Sequence, residues 1–320
     1  MGRQIAMYFA WDRPAEIGAP LGVLENRFPA LFEVRRLFWP QYEQLADPER
    51  FDQGIEGFLE HLFLANFKLF TEQMLALTGR PVRIGQRHTY LGRTSLDDAF
   101  LSGVDTLIII SFDTLRSSQQ ARYPEIIALE KFLSDPDHTL FVCPHHDIGA
   151  VAEVPPEERR TYQQAEFHHH GDPAIPAQQR FGGFALSVMS GLGLPIRNRY
   201  GLRPAKNPDG SPVPFEMASL DRLGLLDGVA TLNAHPHLPH LERLDGSVKS
   251  LEVLVRQPIE PTVPAHPFVA TGRSDFDAVL QARPDVVAGR LFVTDATLWS
   301  STFGALESLK RFWHNAASLK

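Results

Sequence analysis

A short polar run follows a strongly apolar segment near the middle of the chain. Thr139–Cys143 is rich in apolar and β-branched residues, which predicts a buried parallel strand, and His145, His146 and Asp147 come directly after it. In an open α/β sheet, ligands bind just outside the carboxyl ends of the strands. Imidazole and carboxylate groups at such a place suit proton transfer and metal binding. We therefore predict catalytic roles for Cys143, His145, His146 and Asp147.

A second histidine group, His168–His170, follows about twenty residues later. Neutral imidazole and carboxylate are common ligands of zinc and iron, and a catalytic metal needs three protein ligands and one open position. Adjacent residues of an extended chain point in opposite directions, so one or two residues of each group can share an ion. The resulting hypothesis is a divalent zinc or iron ion bound by His145, His146, His168 and His170. One alternative is that these are polar loop histidines that cap helices or bond to backbone groups. The other is metal-free acid–base catalysis.

Cys143 offers a second chemistry. A nucleophilic thiolate needs a neighbouring base or a helix N-terminus that lowers its pKa, and His145 or His146 is close in the sequence. The alternative is that Cys143 is the last buried residue of its strand and acts as a small hydrophobic side chain. Its place in register with the apolar run favours this second interpretation.

Charged residues also follow other predicted strands. Asp12 and Arg13 come after the apolar run that begins at Ile5, and Asp113 and Asp295 follow later runs. Parallel strands of one sheet bring their carboxyl ends to one crevice, where these groups would surround a substrate. An aspartate after a strand often caps the next helix instead, so both roles stay open. A loop in which histidines alternate with prolines borders the same site in this hypothesis. We assign Asp113 and Asp295 to catalysis, and Asp12, Arg13, His235 and His237 to substrate binding.

The order of apolar segments predicts the fold class. A strand at Thr106–Ser111, a helix at Pro124–Leu133 and the central strand form a right-handed parallel unit. Near the end of the chain, a strand at Gly289–Thr294 precedes a closing helix at Phe303–His314. We predict one α/β domain over residues 1–320, with a mostly parallel central sheet and helices on both faces.

The predicted domain carries an added helical segment over residues 20–79. Its longest helical pattern is Phe51–Leu77, which has an unusually wide aromatic face. Such a face packs either into the core of its own chain or against a second subunit. The second interpretation predicts a homodimer.

Composition excludes several functions. The chain has 320 residues, a formal net charge of −7 and no basic cluster, which argues against nucleic acid or an anionic membrane as a partner. One cysteine cannot form an internal disulfide, and the N-terminus has no pattern of a signal peptide. No apolar run approaches the length of a membrane span. We expect a cytoplasmic protein that acts on a small molecule.

The order of elements from Val104 onward resembles the class I glutamine-amidotransferase-like fold, in its trehalose-utilisation-like branch. The resemblance rests on the strand at Thr106–Ser111, on the strand and sharp turn of Leu140–Asp147, and on the Gly-Arg-hydrophobic strand of Gly289–Asp295. It implies a flavodoxin-like sheet. It also implies that His145, His146 and Asp147 match the histidine and aspartate that this branch carries after its turn strand.

The sequence departs from the pattern of the true amidotransferases. The glycine-flanked Gly-x-Cys-x-Gly turn is missing, because Pro144 follows Cys143, and no C-terminal His-x-Glu pair stands at the expected place. Glutamine hydrolysis by a Cys-His-Glu triad is therefore not expected. The leading hypothesis is a metal-assisted hydrolase or lyase that acts on a small polar molecule. The alternatives are a metal-free hydrolase that uses Cys143 with a histidine, and a binding protein of the same fold without catalysis.

Overall fold

A computed structural model describes most of the chain. Within its described residues, nine strands form one large sheet and four strands form a second, smaller sheet. The described residues are 2–17, 67–113, 119–148, 179–235, 237–261, 267–301 and 305–319.

The described elements alternate between strands and helices through the first half of the chain. In chain order the strands are β1 Ile5–Asp12, β2 Arg83–Thr89, β3 Gly92–Arg93, β4 Thr106–Ser111, β5 Thr139–Pro144, β6 Asp147–Ile148, β7 Gln179–Arg180, β8 Ile196–Leu202, β9 Glu216–Met217, β10 Leu238–Arg243, β11 Leu251–Pro258, β12 Asp275–Ala282 and β13 Arg290–Thr294. The helices are α1 Arg13–Ile17, α2 Lys68–Thr78, α3 Asp98–Leu101, α4 Tyr123–Leu133, α5 Gly183–Gly191, α6 Pro267–Ala270 and α7 Leu306–Ser318, and a 3₁₀ turn covers Ala296–Trp299.

The large sheet is mixed, with a parallel centre. Its order is β3-β2-β1-β4-β5-β13-β12-β11-β9, and the pairs from β2 to β13 are all parallel. Strands β12, β11 and β9 continue it in antiparallel pairs. The central strands β4 and β5 are buried along their whole length, as continuous apolar runs require. The ends of β1, β2, β4, β5 and β13 therefore lie along one side of the sheet, which we call the carboxyl edge.

Helices cover both faces of the large sheet. Alternate residues of each strand point to opposite faces, which gives two separate apolar layers. On one face, Phe70 of α2 packs edge-on against Trp299 and against Trp313 of α7. On the other face, α4 and α5 pack over β4 and β5, where Leu129 and Phe184 are fully buried. This three-layer arrangement confirms the predicted α/β class.

The bounds of the central elements agree closely with the sequence pattern. Thr106–Ser111 is a strand as predicted, and the predicted helix Pro124–Leu133 starts one residue earlier, at Tyr123. Of the predicted helix Phe51–Leu77, the structure describes the part from Phe67 onward, with the helix itself at Lys68–Thr78, and residues 51–66 lie outside the described residues. In the described part, Phe70 and Met74 are buried within their own chain.

The second sheet was not predicted. Its order is β10-β8-β6-β7, and β8 pairs antiparallel with β10 and parallel with β6. Strand β8 contains two arginines and an asparagine, and β6 and β7 have two residues each. Such strands lack the apolar run or the regular alternation that reveals a strand in a sequence. This sheet supports the residues that follow β5.

Candidate functional site

The described site is centred on a histidine and an aspartate that follow neighbouring strands. β5 and β13 are parallel neighbours, paired from Thr139–Arg290 to Val142–Val293, so the residues after them meet at the carboxyl edge. His145 Nδ1 lies 2.8 Å from Asp295 Oδ2. The two side chains are buried, with 6% and 5% of their surface exposed. The burial makes this an ion pair or hydrogen bond shielded from water.

Asp295 is held in place by the turn that follows it. The backbone N–H of Thr297 donates to Asp295 Oδ1 over 2.8 Å, and the Thr297 hydroxyl donates to the same oxygen. Burial by itself raises the pKa of a carboxyl group, but the attraction of His145 and the hydrogen bonds from His145 and Thr297 outweigh it. The pKa of Asp295 is therefore lowered, and its carboxylate is charged at neutral pH.

The charge on Asp295 decides which nitrogen of His145 carries the proton. A carboxylate only accepts hydrogen bonds, so His145 Nδ1 must be the donor. In a neutral imidazole the other nitrogen, Nε2, then has a lone pair. Such a nitrogen can take a proton from a substrate or from water, or it can bind a metal ion.

Three further imidazoles surround this pair. The His145 ring centroid lies 4.1 Å from that of His146 and 5.0 Å from that of His235, and the His146 ring lies 5.7 Å from that of His237. The structure thus brings together the histidines that follow β5 and those of the later loop. The ring of Phe181 contacts both His145 and His146. We call the four histidines and Asp295 the histidine cluster.

Backbone contacts fix the two segments that carry these histidines. Asn198 of β8 is buried, and its side-chain amide donates to the backbone oxygens of His145 and, over 2.8 Å, Phe181. In the later loop, the backbone N–H of His235 donates to the side-chain oxygen of Asn233 over 3.2 Å. The histidine cluster is thus built on strand ends and fixed turns.

Cys143 lies on the core side of the strand end. It is fully buried, its sulfur accepts a hydrogen bond from Trp299 Nε1 over 3.1 Å, and it lies 3.3 Å from the Thr294 hydroxyl. Burial raises the pKa of the thiol to about 12. The thiol is therefore protonated at neutral pH, which weighs against Cys143 as a nucleophile.

Asp113 caps a helix. It is fully buried, and its carboxylate accepts hydrogen bonds from the Ser111 hydroxyl and from the backbone N–H of Phe184, over 2.9 Å, in the first turn of α5. An anion at this position satisfies the unpaired N–H groups of a helix start. Asp113 thus occupies the carboxyl edge in the capping role that the sequence left open.

Asp12 and Arg13 lie at another part of the carboxyl edge. Asp12 Oδ2 is 2.8 Å from Nδ1 of His88, the partner of Asp12 in the pairing of β1 with β2. Arg13 is buried and donates from its guanidinium to Gln86 Oε1 over 3.1 Å. These residues form a second polar group, separated from the histidine cluster by the end of β4.

The side chains of three predicted site residues lie outside the part of the chain that the structure describes. His168 and His170 lie in residues 149–178, and Asp147 is described only through its backbone, which begins β6. Within the described part of the chain, no three histidine, cysteine, aspartate or glutamate side chains form a group that could hold a metal ion.

Sequence reasoning missed His88, Asn233 and Thr297. His88 stands alone in the sequence, and only the pairing of β1 with β2 brings it to Asp12. The other two had a local signal, because Asn two residues before His235 and Thr two residues after Asp295 are spacings typical of Asx turns and helix caps.

Neither a protein-family model nor a curated protein matches this chain. Within the described residues, none of the helices is both long enough and apolar enough to cross a membrane.

Proposed function

We propose that this protein is an enzyme, a hydrolase or a lyase, that acts on a small polar molecule with His145 as the residue that transfers the proton. The observation that carries the proposal is the 2.8 Å contact between His145 Nδ1 and the buried carboxylate of Asp295. A carboxylate at this nitrogen orients the ring, presents Nε2 as a base and stabilises the imidazolium that forms. The same pair therefore serves water activation in a hydrolase and proton abstraction in a lyase.

The fold and the charge support this kind of substrate. The central strands are ordered β2-β1-β4-β5-β13, which corresponds to the flavodoxin-like order, and this supports the proposed flavodoxin-like or glutamine-amidotransferase-like assignment. A net charge of −7 with no basic cluster favours a small molecule over nucleic acid or a membrane surface. A cytoplasmic location and a homodimer belong to the same proposal, and the mass of the protein in solution tests the latter.

The test uses a variant that keeps a hydrogen-bond donor at the position of Nδ1 and removes Nε2. In His145→Asn, the side-chain amide can still donate to Asp295 from the position of Nδ1, but nothing replaces Nε2. We expect wild-type protein to turn over at least one member of a panel of small esters, amides, lactones and hydroxy acids. In His145→Asn this rate falls by about 10²- to 10⁴-fold, the usual contribution of a general acid–base residue.

The matched control is His314→Asn, which makes the same change at an exposed residue of α7. This variant keeps the wild-type rate. Wild-type protein without turnover on the whole panel favours the alternative of a non-catalytic binding protein. A His145→Asn variant with the wild-type rate contradicts the role of His145.

A second candidate is metal-assisted catalysis with a divalent zinc or iron ion bound by His145 and His146 together with His168 or His170. The observation that favours it is the contact of His145 with Asp295, since metal-binding histidines usually donate their other N–H to a carboxylate. The described residues do not assemble a ligand set by themselves. The ion would supply a Lewis acid and an activated water.

Metal analysis of protein prepared without chelators tests this candidate. This second candidate predicts about one ion per chain in the wild type and none in His146→Ala, with the fold preserved in both. A wild-type protein without metal, or a His146→Ala variant that keeps it, contradicts metal binding and leaves the metal-free pair as the proposal.

A further inference from the structure

Among the residues that the structure describes, Thr297 alone donates to the oxygen of Asp295 that faces away from His145. Thr297 donates to Asp295 Oδ1 through its backbone N–H and through its hydroxyl, while Asp295 Oδ2 faces His145. The backbone donor belongs to the cap of the 3₁₀ turn and is present for any residue other than proline at this position. The hydroxyl is a property of the side chain, and its direction depends on what else it contacts.

Asn233 sets the direction of that hydroxyl. Its side-chain Nδ2 donates to Thr297 Oγ1 over 2.6 Å. The orientation of the amide is fixed as well, because Asn233 Oδ1 accepts the backbone N–H of His235. A hydroxyl has one proton, and an amide nitrogen cannot accept it. The proton of Thr297 Oγ1 therefore points to Asp295.

Both residues lie in the interior of the protein, away from bulk water. Asn233 is fully buried and Thr297 is 6% exposed. Gln257 of β11, also buried, donates to the backbone oxygen of Asn233 over 3.3 Å. The chain of hydrogen bonds thus joins the loop of His235 to the carboxylate that orients His145.

We propose that Asn233 and Thr297 are positioning residues of the site, which hold the Asp295 carboxylate in the one orientation that fixes the proton of His145 on Nδ1. The inference rests on the proposed role of His145. The amide of Asn233 acts only through the Thr297 hydroxyl, and the hydroxyl acts only through Asp295. Without the Thr297 hydroxyl, Asp295 Oδ1 accepts only the backbone N–H of Thr297. The carboxylate can then rotate, and its hydrogen bond with His145 becomes less persistent.

The exchange rate of the His145 Nδ1 proton with water, measured by NMR, tests this inference without a substrate. A persistent buried hydrogen bond slows this exchange. We expect Thr297→Val, which removes the hydroxyl and keeps the shape, to exchange at least about 10-fold faster, the equivalent of one net hydrogen bond. Thr297→Ser restores the hydroxyl and restores slow exchange.

The control is Thr294→Val, which removes a buried hydroxyl that contacts Cys143 and Trp299. This variant keeps the wild-type exchange rate. Asn233→Ala speeds exchange in the wild-type background and adds nothing in the Thr297→Val background, because its effect passes through the hydroxyl. If Thr297→Val does not fold, the double variant Asn233→Ala with Thr297→Ser replaces it. The inference then predicts faster exchange of the His145 Nδ1 proton in this double variant than in Thr297→Ser.

Several outcomes overturn the inference. The first is a Thr297→Val variant whose His145 Nδ1 proton exchanges at the wild-type rate. The second is a Thr294→Val variant in which the exchange is as fast as in Thr297→Val. The third is a double variant in which the effects of Asn233→Ala and Thr297→Val on the exchange rate add fully. Because the measurement needs no turnover, it separates the inference from the proposed function. If the protein shows the expected exchange rates but no activity, the assignment of the positioning residues stands and the proposed enzymatic function fails.

Discussion

Two buried histidines, one that follows β5 of the large sheet and one in β10 of the second sheet, have opposite surroundings. His145, at the end of β5, donates from Nδ1 to the carboxylate of Asp295. His240 of β10 accepts at Nδ1 the backbone N–H of Asp277 over 3.1 Å, and its Nε2 lies 3.4 Å from the guanidinium of Arg273. One ring thus faces an anion and the other faces a backbone donor and a cation.

The difference determines the protonation of each ring. At His240, burial lowers the pKa to about 4. The aspartates Asp277 and Asp275 raise this pKa, and the arginines Arg273 and Arg243 lower it further. His240 is therefore neutral near pH 7. At His145, the Asp295 carboxylate accepts the hydrogen bond, so the proton of the neutral ring lies on Nδ1. Of the two rings, only His145 has the surroundings that the proposed proton transfer requires.

Asp295 itself provides the largest test of this contrast. Asp295→Asn removes the charge and lets the amide donate toward His145, which favours the opposite tautomer with the proton on Nε2. We expect turnover to fall by about 10³- to 10⁴-fold, as in catalytic triads whose aspartate is replaced by asparagine. The rate constant kcat on the substrate found by the panel measures it.

The matched control for this variant is Asp113→Asn, at another aspartate that follows a parallel strand. Its carboxylate caps α5, so we expect turnover within about twofold of the wild type and a loss of about 1 kcal/mol in the free energy of unfolding. Equal losses of turnover in both variants contradict a special role of Asp295.

Cys143 provides the next test, because it belongs to the same strand end as His145. With a pKa raised to about 12, the thiol has about 10³-fold less thiolate at pH 7.5 than an unperturbed cysteine. We expect iodoacetamide to modify Cys143 at least that much more slowly in the native protein than in urea, as followed by mass spectrometry. Modification within minutes in the native state supports the thiol hydrolase instead.

The pH dependence of stability tests the neutral histidine. The pKa of His240 is about 4 in the folded protein and about 6.5 in the unfolded chain, so the unfolded chain binds the proton first as the pH falls. The stability that this residue contributes is complete above about pH 6.5 and decreases toward pH 4, by about 3 kcal/mol in total.

His240→Asn removes this contribution and keeps an acceptor for the N–H of Asp277. Urea unfolding at pH 7 and pH 4.5 then shows a smaller loss of stability at low pH than in the wild type. The same loss in both proteins contradicts the neutral state of His240. Asp295 does not interfere in this range, because its lowered pKa makes its contribution decrease only below about pH 4.

The sequence could predict the centre of the large sheet and the edge at which His145 and Asp295 meet, because both depend on local patterns. Continuous apolar runs identify β4 and β5, and polar residues after them indicate the carboxyl edge. It could not predict the partners of the histidines. His145 and Asp295 are 150 positions apart, and the nitrogen that each histidine uses depends on such distant neighbours. The same limit applies to His240, whose neighbours Asp277 and Arg273 come from β12 and the residues before it.

The tautomer of His145 and the neutral state of His240 test the central claim most directly. Long-range ¹H–¹⁵N spectra of labelled protein at pH 7 show which ring nitrogens carry protons, and the variants His145→Asn and His240→Asn assign the signals. We predict the proton on Nδ1 of His145 and one unprotonated ring nitrogen on His240. A proton on Nε2 of His145 would mean that Asp295 does not orient the ring, and it would contradict the proposed role of His145 as a base.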